Sequence, residues 1–168
     1  MLSLSFIKEI EKIIGRENVL TGEADRQNYA YDAAVLPPVV PGLVVRPTRT
    51  DQLGPLIQKC YEEGIPITIR GSGTNLSGGT IPGSTDAVII LTNSLDRILE
   101  INEEEMYAVV EPGVITCDLA AAVAARGLFY PPDPGSMSVS TMGGTGCSMR
   151  SVSRGSREAS RASMGLIT

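Results

Sequence analysis

The sequence predicts an α+β fold built on a mixed β-sheet. Apolar residues recur at helical spacing in three stretches, and short β-type runs bounded by glycine or proline lie between them. The predicted order of elements is α, β, α, β, β, β, β, α. A strand–helix–strand unit near the middle of the chain favours parallel pairing, whereas two strands joined by an acidic turn favour an antiparallel hairpin. The two kinds of pairing together predict a mixed sheet.

The N-terminal stretch predicts an amphipathic helix. Ser3 or Ser5 can cap its start, and Gly15 can end it. The residues predicted to form its apolar face are Phe6, Ile7, Ile10, Ile13 and Ile14. From residue 16 to residue 41 no period is sustained, and three prolines indicate an extended connection.

The next unit begins with a strand over residues 43–46, which Pro47 closes. Thr50 is the predicted cap of the following helix, and Gly64 is its predicted end. The residues predicted to form its buried stripe are Leu53, Leu56, Ile57, Cys60 and Tyr61. A strand over residues 65–70 follows, so strand, helix and strand have the order and length that a right-handed parallel crossover needs.

Three further strands are predicted, over residues 87–91, 97–102 and 106–111. The last two form a hairpin around the acidic turn at 103–105. Adjacent acids at a hairpin tip point apart and are usually solvated, so no metal site is predicted there. Thr116 is the predicted cap of a helix over 117–126, and a turn-rich stretch occupies 131–136.

The composition excludes several classes of protein. Hydrophobic residues make up 42% and charged residues 20% of the chain, which fits neither a membrane-embedded nor a disordered protein. The longest purely apolar run, 119–125, is far shorter than the ~20 residues that span a bilayer. The chain has no histidine, which excludes a Ser/His/Asp triad within it. Three separated cysteines without a CxxC spacing, and the absence of a secretory signal, predict reduced thiols and a cytoplasmic location.

Charge is unevenly distributed along the chain. Residues 1–144 carry 10 basic and 18 acidic side chains, whereas residues 145–168 carry four arginines and one glutamate. The arginines, at 150, 154, 157 and 161, would share one face of a helix, but that helix would lack an apolar face and would contain Gly155. Because the chain as a whole is acidic, no nucleic-acid binding is predicted. The segment 145–168 is predicted to be disordered or non-native.

The most informative stretch is RGSGTNLSGG at residues 70–79, which we call the glycine-rich loop. It begins where a strand is predicted to end, and its four glycines allow positive φ and let a ligand lie against the backbone. Successive amide N–H groups can then point into one concavity, which is a site for an anion. The side chains that can add donors or positive charge are Arg70, Ser72, Thr74, Asn75 and Ser77.

Two better-known phosphate-binding loops do not match this stretch. A Walker A loop needs a lysine near its end, and the chain has no lysine after Lys59. A dinucleotide-binding GxGxxG that starts at Gly71 needs a glycine where Leu76 stands. The residues alone leave two alternatives, an anion-binding loop and a surface loop whose glycines serve turns only.

Several separated motifs resemble one family, in that family's order. Besides the stretch 45–79, they are LTNSLDRILEIN (91–102), VVEPGV (109–114), AARGLFYPPDPGS (124–136) and STMGG (140–144). The sequence is similar to the N-terminal, FAD-binding part of the vanillyl-alcohol-oxidase-type (PCMH-type) flavoproteins, and most of all to glycolate oxidase subunits and D-lactate dehydrogenases. The resemblance covers residues 1–144 and stops after Gly144. The predicted boundary therefore separates the N-terminal part of an FAD-binding domain (1–144) from an atypical Ser/Arg-rich tail (145–168).

The resemblance implies an FAD cofactor bound by two small α/β subdomains. It implies that RGSGTN at 70–75 binds the pyrophosphate through backbone amides. The residues that match the cofactor-binding positions of the family are Pro47, Arg70, Gly71, Ser72, Gly73, Thr74, Asn75, Pro112, Gly113, Pro132, Asp133, Ser136, Ser140, Thr141, Gly143 and Gly144. Taken singly, Pro112-Gly113 also fits a simple turn, and 131–136 a rigid connector.

The resemblance further implies oxidation of a 2-hydroxy acid such as glycolate or D-lactate, with hydride transfer to the flavin. The expected partners are that acid and electron-transfer subunits, with at most peripheral membrane association. Family members continue well beyond residue 168, so the chain is expected to be a truncated part that does not turn over substrate alone, and no catalytic or metal-binding residue is assigned to it. The alternatives are a non-catalytic nucleotide- or phosphate-binding module and an inactive truncated product.

Overall fold

The structure is a computed structural model that describes residues 2–146 and 153–154. The chain divides into two compact units, Met1–Leu95 and Asp96–Thr168. Helices and strands are present in both units, which confirms the predicted α+β class.

The first unit contains a four-stranded mixed sheet. Its strands are β1 (Val19–Leu20), β2 (Leu43–Val45), β3 (Ile67–Arg70) and β4 (Val88–Leu91), in the spatial order β1-β2-β4-β3. β2 and β3 each pair in parallel with β4, whereas β1 pairs antiparallel with β2. β2 and β3 therefore run in the same direction, as the predicted crossover requires, with β4 between them.

The helices α1 (Leu4–Ile14) and α3 (Leu53–Glu62) contribute to the core of this unit. Ser3 is the cap of α1, because its Oγ accepts a hydrogen bond from the Phe6 amide at 3.1 Å. Gly15 ends the helix with a φ of 86°. The buried side chains of this core are Phe6, Ile10, Ile14, Val19, Leu43, Val45, Leu56, Cys60, Val88 and Ile90.

The start of α3 corrects one prediction. Thr50 is not the cap, because a 3₁₀ turn over Thr50–Gln52 precedes the helix. The capping group is the side chain of Gln52, whose Oε1 accepts hydrogen bonds from the backbone amides of Thr48 at 2.9 Å and Arg49 at 3.1 Å. The Gln52 side chain thus reaches back to N–H groups that precede the helix, as in a capping box, whereas the sequence predicted capping by the Thr50 hydroxyl.

The buried face of α3 is narrower than predicted. Leu56 and Cys60 are fully buried, whereas Ile57 is 43% and Tyr61 is 80% exposed. Because successive helical residues are rotated by about 100°, a face that is centred on residues 56 and 60 leaves 57 and 61 on its flank. The prediction that Ile57 and Tyr61 are buried is therefore wrong.

The second unit contains the predicted hairpin, which forms a two-stranded sheet of its own; the antiparallel pair of the mixed sheet is instead β1 with β2 in the first unit. The elements of the second unit are β5 (Ile98–Asn102), β6 (Tyr107–Val110), α4 (Thr116–Ala124), β7 (Leu128–Phe129), α5 (Met142–Gly146) and β8 (Ser153–Arg154). β5 pairs antiparallel with β6, and β7 pairs antiparallel with β8. Thr116 was predicted as a cap but is the first residue of α4, after Ile115. Its hydroxyl bonds to Ser140 instead, as described below.

Several short elements were not predicted. β1 and α2 (Glu23–Gln27) lie in the region 16–41, where no period was found. In the segment 145–168 the structure describes only the end of α5 and the strand β8. The predicted disorder of that segment, and the arginines at 150, 157 and 161, otherwise lie outside the described residues. Among the helices of the described residues, none is long and apolar enough to cross a membrane.

Candidate cofactor site

The carboxyl ends of β2, β3 and β4 lie at one edge of the first unit's sheet. The parallel register aligns Val45, Ile69 and Ile90, so the residues that follow these strands emerge at the same edge. They are Pro47 after β2, Thr92 after β4 and the glycine-rich loop at the end of β3. In open sheets with parallel strands, this edge is the usual place for a ligand.

The glycine-rich loop presents a run of free backbone amides. Within the described residues, the structure contains no hydrogen bond from the N–H groups of residues 71–76. Gly73 has a φ of 71°, which belongs to the left-handed region. Successive unpaired N–H groups around a left-handed residue are the arrangement that binds anions. The geometry thus favours the anion-binding alternative over a loop whose glycines serve turns only.

The second half of the loop is bonded to itself. Asn75 Oδ1 accepts hydrogen bonds from the backbone amides of Ser77 at 2.6 Å and Gly79 at 3.4 Å. The Ser72 hydroxyl accepts a hydrogen bond from Asn93 Nδ2 at 3.3 Å. The Asn75 side chain, predicted as a donor to a ligand, therefore uses its oxygen to shape the loop.

Arg70 lies beneath the loop and is only 7% exposed. Its Nη1 donates to the carbonyl oxygen of Tyr31 at 2.6 Å and to the Thr80 hydroxyl at 3.4 Å, and the guanidinium stands over the Tyr29 ring, 5.7 Å from its centre. A Cβ on Gly73 would overlap the guanidinium. Burial lowers the pKa of Arg70 and the charge of Asp32 opposes that effect, but a guanidinium remains protonated in proteins. The predicted positive charge is therefore present, close behind the loop backbone.

Asp32 is a residue of this site that the sequence did not reveal. It is 9% exposed, and its Oδ2 accepts hydrogen bonds from the hydroxyl of Thr80 at 3.1 Å and from the Thr80 backbone amide at 3.4 Å. Its Oδ1 accepts from the backbone amide of Ala34 at 2.8 Å. In the sequence, Asp32 is only an acidic residue among apolar ones, in a connection that has no helical or strand pattern. That observation is too weak to assign it a role.

In the second unit, predicted site residues from two segments come together. The Gly143 amide donates to the carbonyl oxygen of Pro112 at 2.7 Å, and a Cβ on Gly143 would lie 2.8 Å from the Pro112 Cβ. Thr141 pairs with Ile115 in an isolated β-bridge. The start of α5 thus lies against the turn at Pro112-Gly113, and only glycine fits at 143.

Ser140 and Thr141 are buried, and Ser140 is bonded within the unit. The Ser140 carbonyl oxygen accepts hydrogen bonds from the Thr116 amide at 2.9 Å and the Thr116 hydroxyl at 3.0 Å, and the Ser140 amide donates to the carbonyl oxygen of Ser136 at 2.7 Å. Pro132 is buried and Asp133 is exposed, and within the described residues no hydrogen bond or ion pair joins either of them to this group. Within that part of the chain, no cluster of three or more His, Cys, Asp or Glu residues could hold a metal ion.

Comparison with known proteins adds the decisive observation. The family described as the FAD binding domain matches residues 41–163. This chain belongs to the FAD-binding domain family. The matched range contains the glycine-rich loop and the second-unit residues described above, and it continues beyond the predicted boundary at residue 144.

Two similar proteins agree with the predicted resemblance. This FAD-binding domain is 42% identical over 144 residues to the glycolate oxidase subunit GlcD of Bacillus subtilis, which covers 86% of the chain and 30% of that protein. It is 32% identical over 134 residues to the D-lactate dehydrogenase of Anaerostipes hadrus, which covers 79% of the chain and 28% of that protein. The chain therefore spans less than a third of the length of either relative.

Solved structures share the fold of this FAD-binding domain. A 4-ethylphenol oxidase from Gulosibacter chungangensis superposes with a TM-score of 0.73 at 31% identity, over 84% of this chain and 28% of that one. An alkyldihydroxyacetonephosphate synthase superposes with a TM-score of 0.77 at 21% identity, over 86% of this chain and 29% of that one. The second likeness shows the fold alone.

The residues of the glycine-rich loop fit an FAD cofactor. FAD carries an anionic pyrophosphate. The amides of residues 71–76, which are without partners in the part of the chain that the structure describes, match such a group together with the buried charge of Arg70. When bound, FAD supplies the hydride-accepting chemistry that protein side chains lack.

Proposed function

We propose that this chain supplies cofactor-binding residues of a flavin-dependent 2-hydroxy-acid dehydrogenase or oxidase, and that its glycine-rich loop binds the FAD pyrophosphate. The observation that carries the proposal is the run of N–H groups at 71–76, at the carboxyl edge of parallel strands, which have no partner among the described residues. Pyrophosphate oxygens satisfy such donors, and Arg70 adds positive charge from below.

The proposal assigns further FAD contacts to residues that match the family's positions. They are Pro47, Pro112, Gly113, Pro132, Asp133, Ser136, Ser140, Thr141, Gly143 and Gly144. The contact between Gly143 and Pro112 supports the assignment of the two turns that carry them. Because Ser140 and Thr141 are buried, we expect them to act through backbone groups or through the shape of the turn.

The domain boundary at residue 144 is also a proposal. The family match continues to residue 163, so the segment 145–163 is the part that a test must address. Limited proteolysis of the FAD-loaded chain is expected to leave a stable product that ends near residue 144. A stable product that ends near residue 163 would contradict the boundary.

Substrate, partners and location are further proposals. Glycolate oxidase subunits and D-lactate dehydrogenases are named for 2-hydroxy acids, so glycolate or D-lactate is the proposed substrate. We propose electron-transfer subunits as partners, a cytoplasmic location with at most peripheral membrane association, and no nucleic-acid partner for a chain of net charge −5. No residue of this chain is proposed to be catalytic.

Titration of the chain with FAD, followed by flavin fluorescence, tests the loop assignment. Gly73→Asp puts a side chain where the Arg70 guanidinium lies, on backbone of positive φ, and so displaces both the loop amides and the charge behind them; we expect FAD affinity to fall at least about tenfold. Gly64→Asp is the matched control, because Gly64 also has positive φ, at 64°, but has nothing within 4 Å of an added Cβ. Equal FAD affinities of wild type and Gly73→Asp would contradict the proposal.

A second experiment tests the assignment of substrate chemistry. Glycolate or D-lactate is added without oxygen to the FAD-loaded chain, and the visible flavin absorbance is followed. Because no catalytic residue is assigned to the chain, the flavin is expected to stay oxidised. Reduction of the flavin would show that the chain carries a substrate site of its own, and would contradict that assignment.

A further inference from the structure

The connection at residues 29–36, which we call the Asp32 segment, lies against the glycine-rich loop. The Tyr31 carbonyl oxygen accepts the hydrogen bond from Arg70 described above. At the other end of the loop, a Cβ on Gly78 would touch the Leu36 side chain. The segment thus contacts both halves of the loop, although more than thirty positions separate them in the sequence.

Asp32 joins the Asp32 segment to the end of the loop through its two carboxylate oxygens. Oδ1 accepts a hydrogen bond from the backbone amide of Ala34, within the segment. Oδ2 accepts hydrogen bonds from both the backbone amide and the hydroxyl of Thr80. Hydrogen bonds to an ionised acceptor are stronger than those between neutral groups. Asp32 therefore fixes the position of Thr80, the residue directly after the loop.

Thr80 in turn meets Arg70, the residue that opens the loop. Arg70 Nη1 lies 3.4 Å from the Thr80 hydroxyl, and the Arg70 carbonyl oxygen accepts a hydrogen bond from the Thr92 amide at 3.0 Å. Hydrogen bonds thus join the two ends of the loop, Arg70 and Thr80, to each other and to Asp32, and join Arg70 to the strand end at Thr92. The amides of residues 71–76 between them have no hydrogen bonds of their own within the described residues. Their order must come from these ends, from the side-chain hydrogen bonds of Asn75 and Ser72 described above, and from packing.

We propose that Asp32 is a positioning residue of the cofactor site: through Thr80 and Arg70 it holds the glycine-rich loop in the conformation that aims the amides of residues 71–76 at an anion. The inference rests on the proposed function of the loop. Asp32 does not touch the cofactor, since both of its oxygens face protein donors. A loop that is fixed before binding loses less conformational entropy when the ligand arrives, which raises affinity.

The test uses the full chain with isotopically labelled backbone amides. Asp32→Asn keeps the shape of the side chain but removes the charge and one acceptor. Thr80→Val removes the hydroxyl, and Thr80→Ser keeps it. Asp51→Asn is the control of equal charge change, because Asp51 is an exposed acid in the same unit. NMR order parameters of residues 71–76 without cofactor, and FAD affinity, are measured for each variant.

Asp32→Asn and Thr80→Val are expected to lower the loop order parameters from about 0.85, typical of rigid backbone, towards about 0.6. FAD affinity is expected to fall about tenfold in both, while Thr80→Ser and Asp51→Asn stay near wild type. Unchanged loop order in Asp32→Asn, or an equal loss of order in β4, would overturn the inference. If Asp32→Asn does not fold, identical results for Thr80→Val and Thr80→Ser would overturn it.

The outcome for wild type separates this inference from the proposed function. A wild-type chain that does not bind FAD would overturn the proposed function and with it the cofactor role of Asp32. Loss of loop order in Asp32→Asn would still support the positioning of the loop by Asp32, because that readout is made without cofactor.

Discussion

Gly73 is required by two independent features of its surroundings. Its φ of 71° lies in a region that residues with a Cβ rarely adopt, and a Cβ would overlap the Arg70 guanidinium below it. The loop backbone at Gly73 therefore packs directly against the buried Arg70 guanidinium, and no side chain fits between them. The same closeness lets the charge act on an anion that the loop amides bind.

Thr116→Val tests the hydrogen bond that joins α4 to the residues before α5. Thr116 is fully buried, and its hydroxyl donates to the Ser140 carbonyl oxygen at 3.0 Å. Valine has the same shape but no hydroxyl, so the free energy of unfolding is expected to fall by about 1–2 kcal/mol. Chemical denaturation measures it. Thr48→Val, at an exposed position, is expected to change it by less than about 0.5 kcal/mol, and equal effects would contradict the assignment.

The Cys60 thiol predicts a loss of stability at alkaline pH. Burial raises the pKa of Cys60 to about 11, above its usual value of 9.0. The folded state thus favours the neutral thiol, and the stability it contributes is complete below pH 9.0 and is lost as the pH rises towards about 11. Between these values the free energy of unfolding is expected to fall more steeply in wild type than in Cys60→Ala, by up to about 1.4 kcal/mol per pH unit. Parallel pH profiles of the two proteins would refute this.

The site residues differ in how far they could be predicted from sequence. The glycine-rich loop was found because its composition is unusual and because it follows a strand. Asp32 was not found, because its role depends on Thr80, which lies 48 positions away. The Gln52 cap was missed for a related reason, since Thr50 had the commoner capping side chain and only the structure shows which group reaches the amides.

The parallel strands determine where the candidate cofactor site of the first unit lies. β2, β3 and β4 end at the same edge, so Pro47, Thr92 and the glycine-rich loop share that edge. These strands and the three longer helices were predicted because each has a sustained apolar pattern. β1, with two residues, and α2, with five, are too short to show a period, and local contacts decide them.

Gln52→Leu tests the connection between α1 and the start of α3. The Gln52 side chain accepts from two backbone amides, and its Nε2 donates to the carbonyl oxygen of Ile13 at 3.3 Å. Leucine leaves these groups without their partner, so the free energy of unfolding is expected to fall by about 1–3 kcal/mol in chemical denaturation. Gln58→Leu, on the exposed face of α3, is the control and is expected to change it by less than about 0.5 kcal/mol. A similar loss in both variants would argue against a specific cap.

At the scale of the whole molecule, the chain belongs to the FAD-binding domain family, and its match covers less than a third of each of the two relatives named above. Each of its two units brings predicted cofactor positions into local order, at the glycine-rich loop in the first and around Pro112 and Gly143 in the second. The resemblance predicted this family from separated motifs. The residues alone, without the resemblance, indicate only a glycine-rich loop after a strand that can bind an anion.

The most direct measurement is the change in amide chemical shifts of residues 71–76 when ligands are added to the labelled chain. FAD and ADP both carry a pyrophosphate, whereas riboflavin has the flavin ring without it. We expect FAD and ADP to shift these amides strongly and riboflavin to leave them unchanged, because the loop binds the anion. Binding of FAD that leaves the amides of residues 71–76 unshifted would contradict the account.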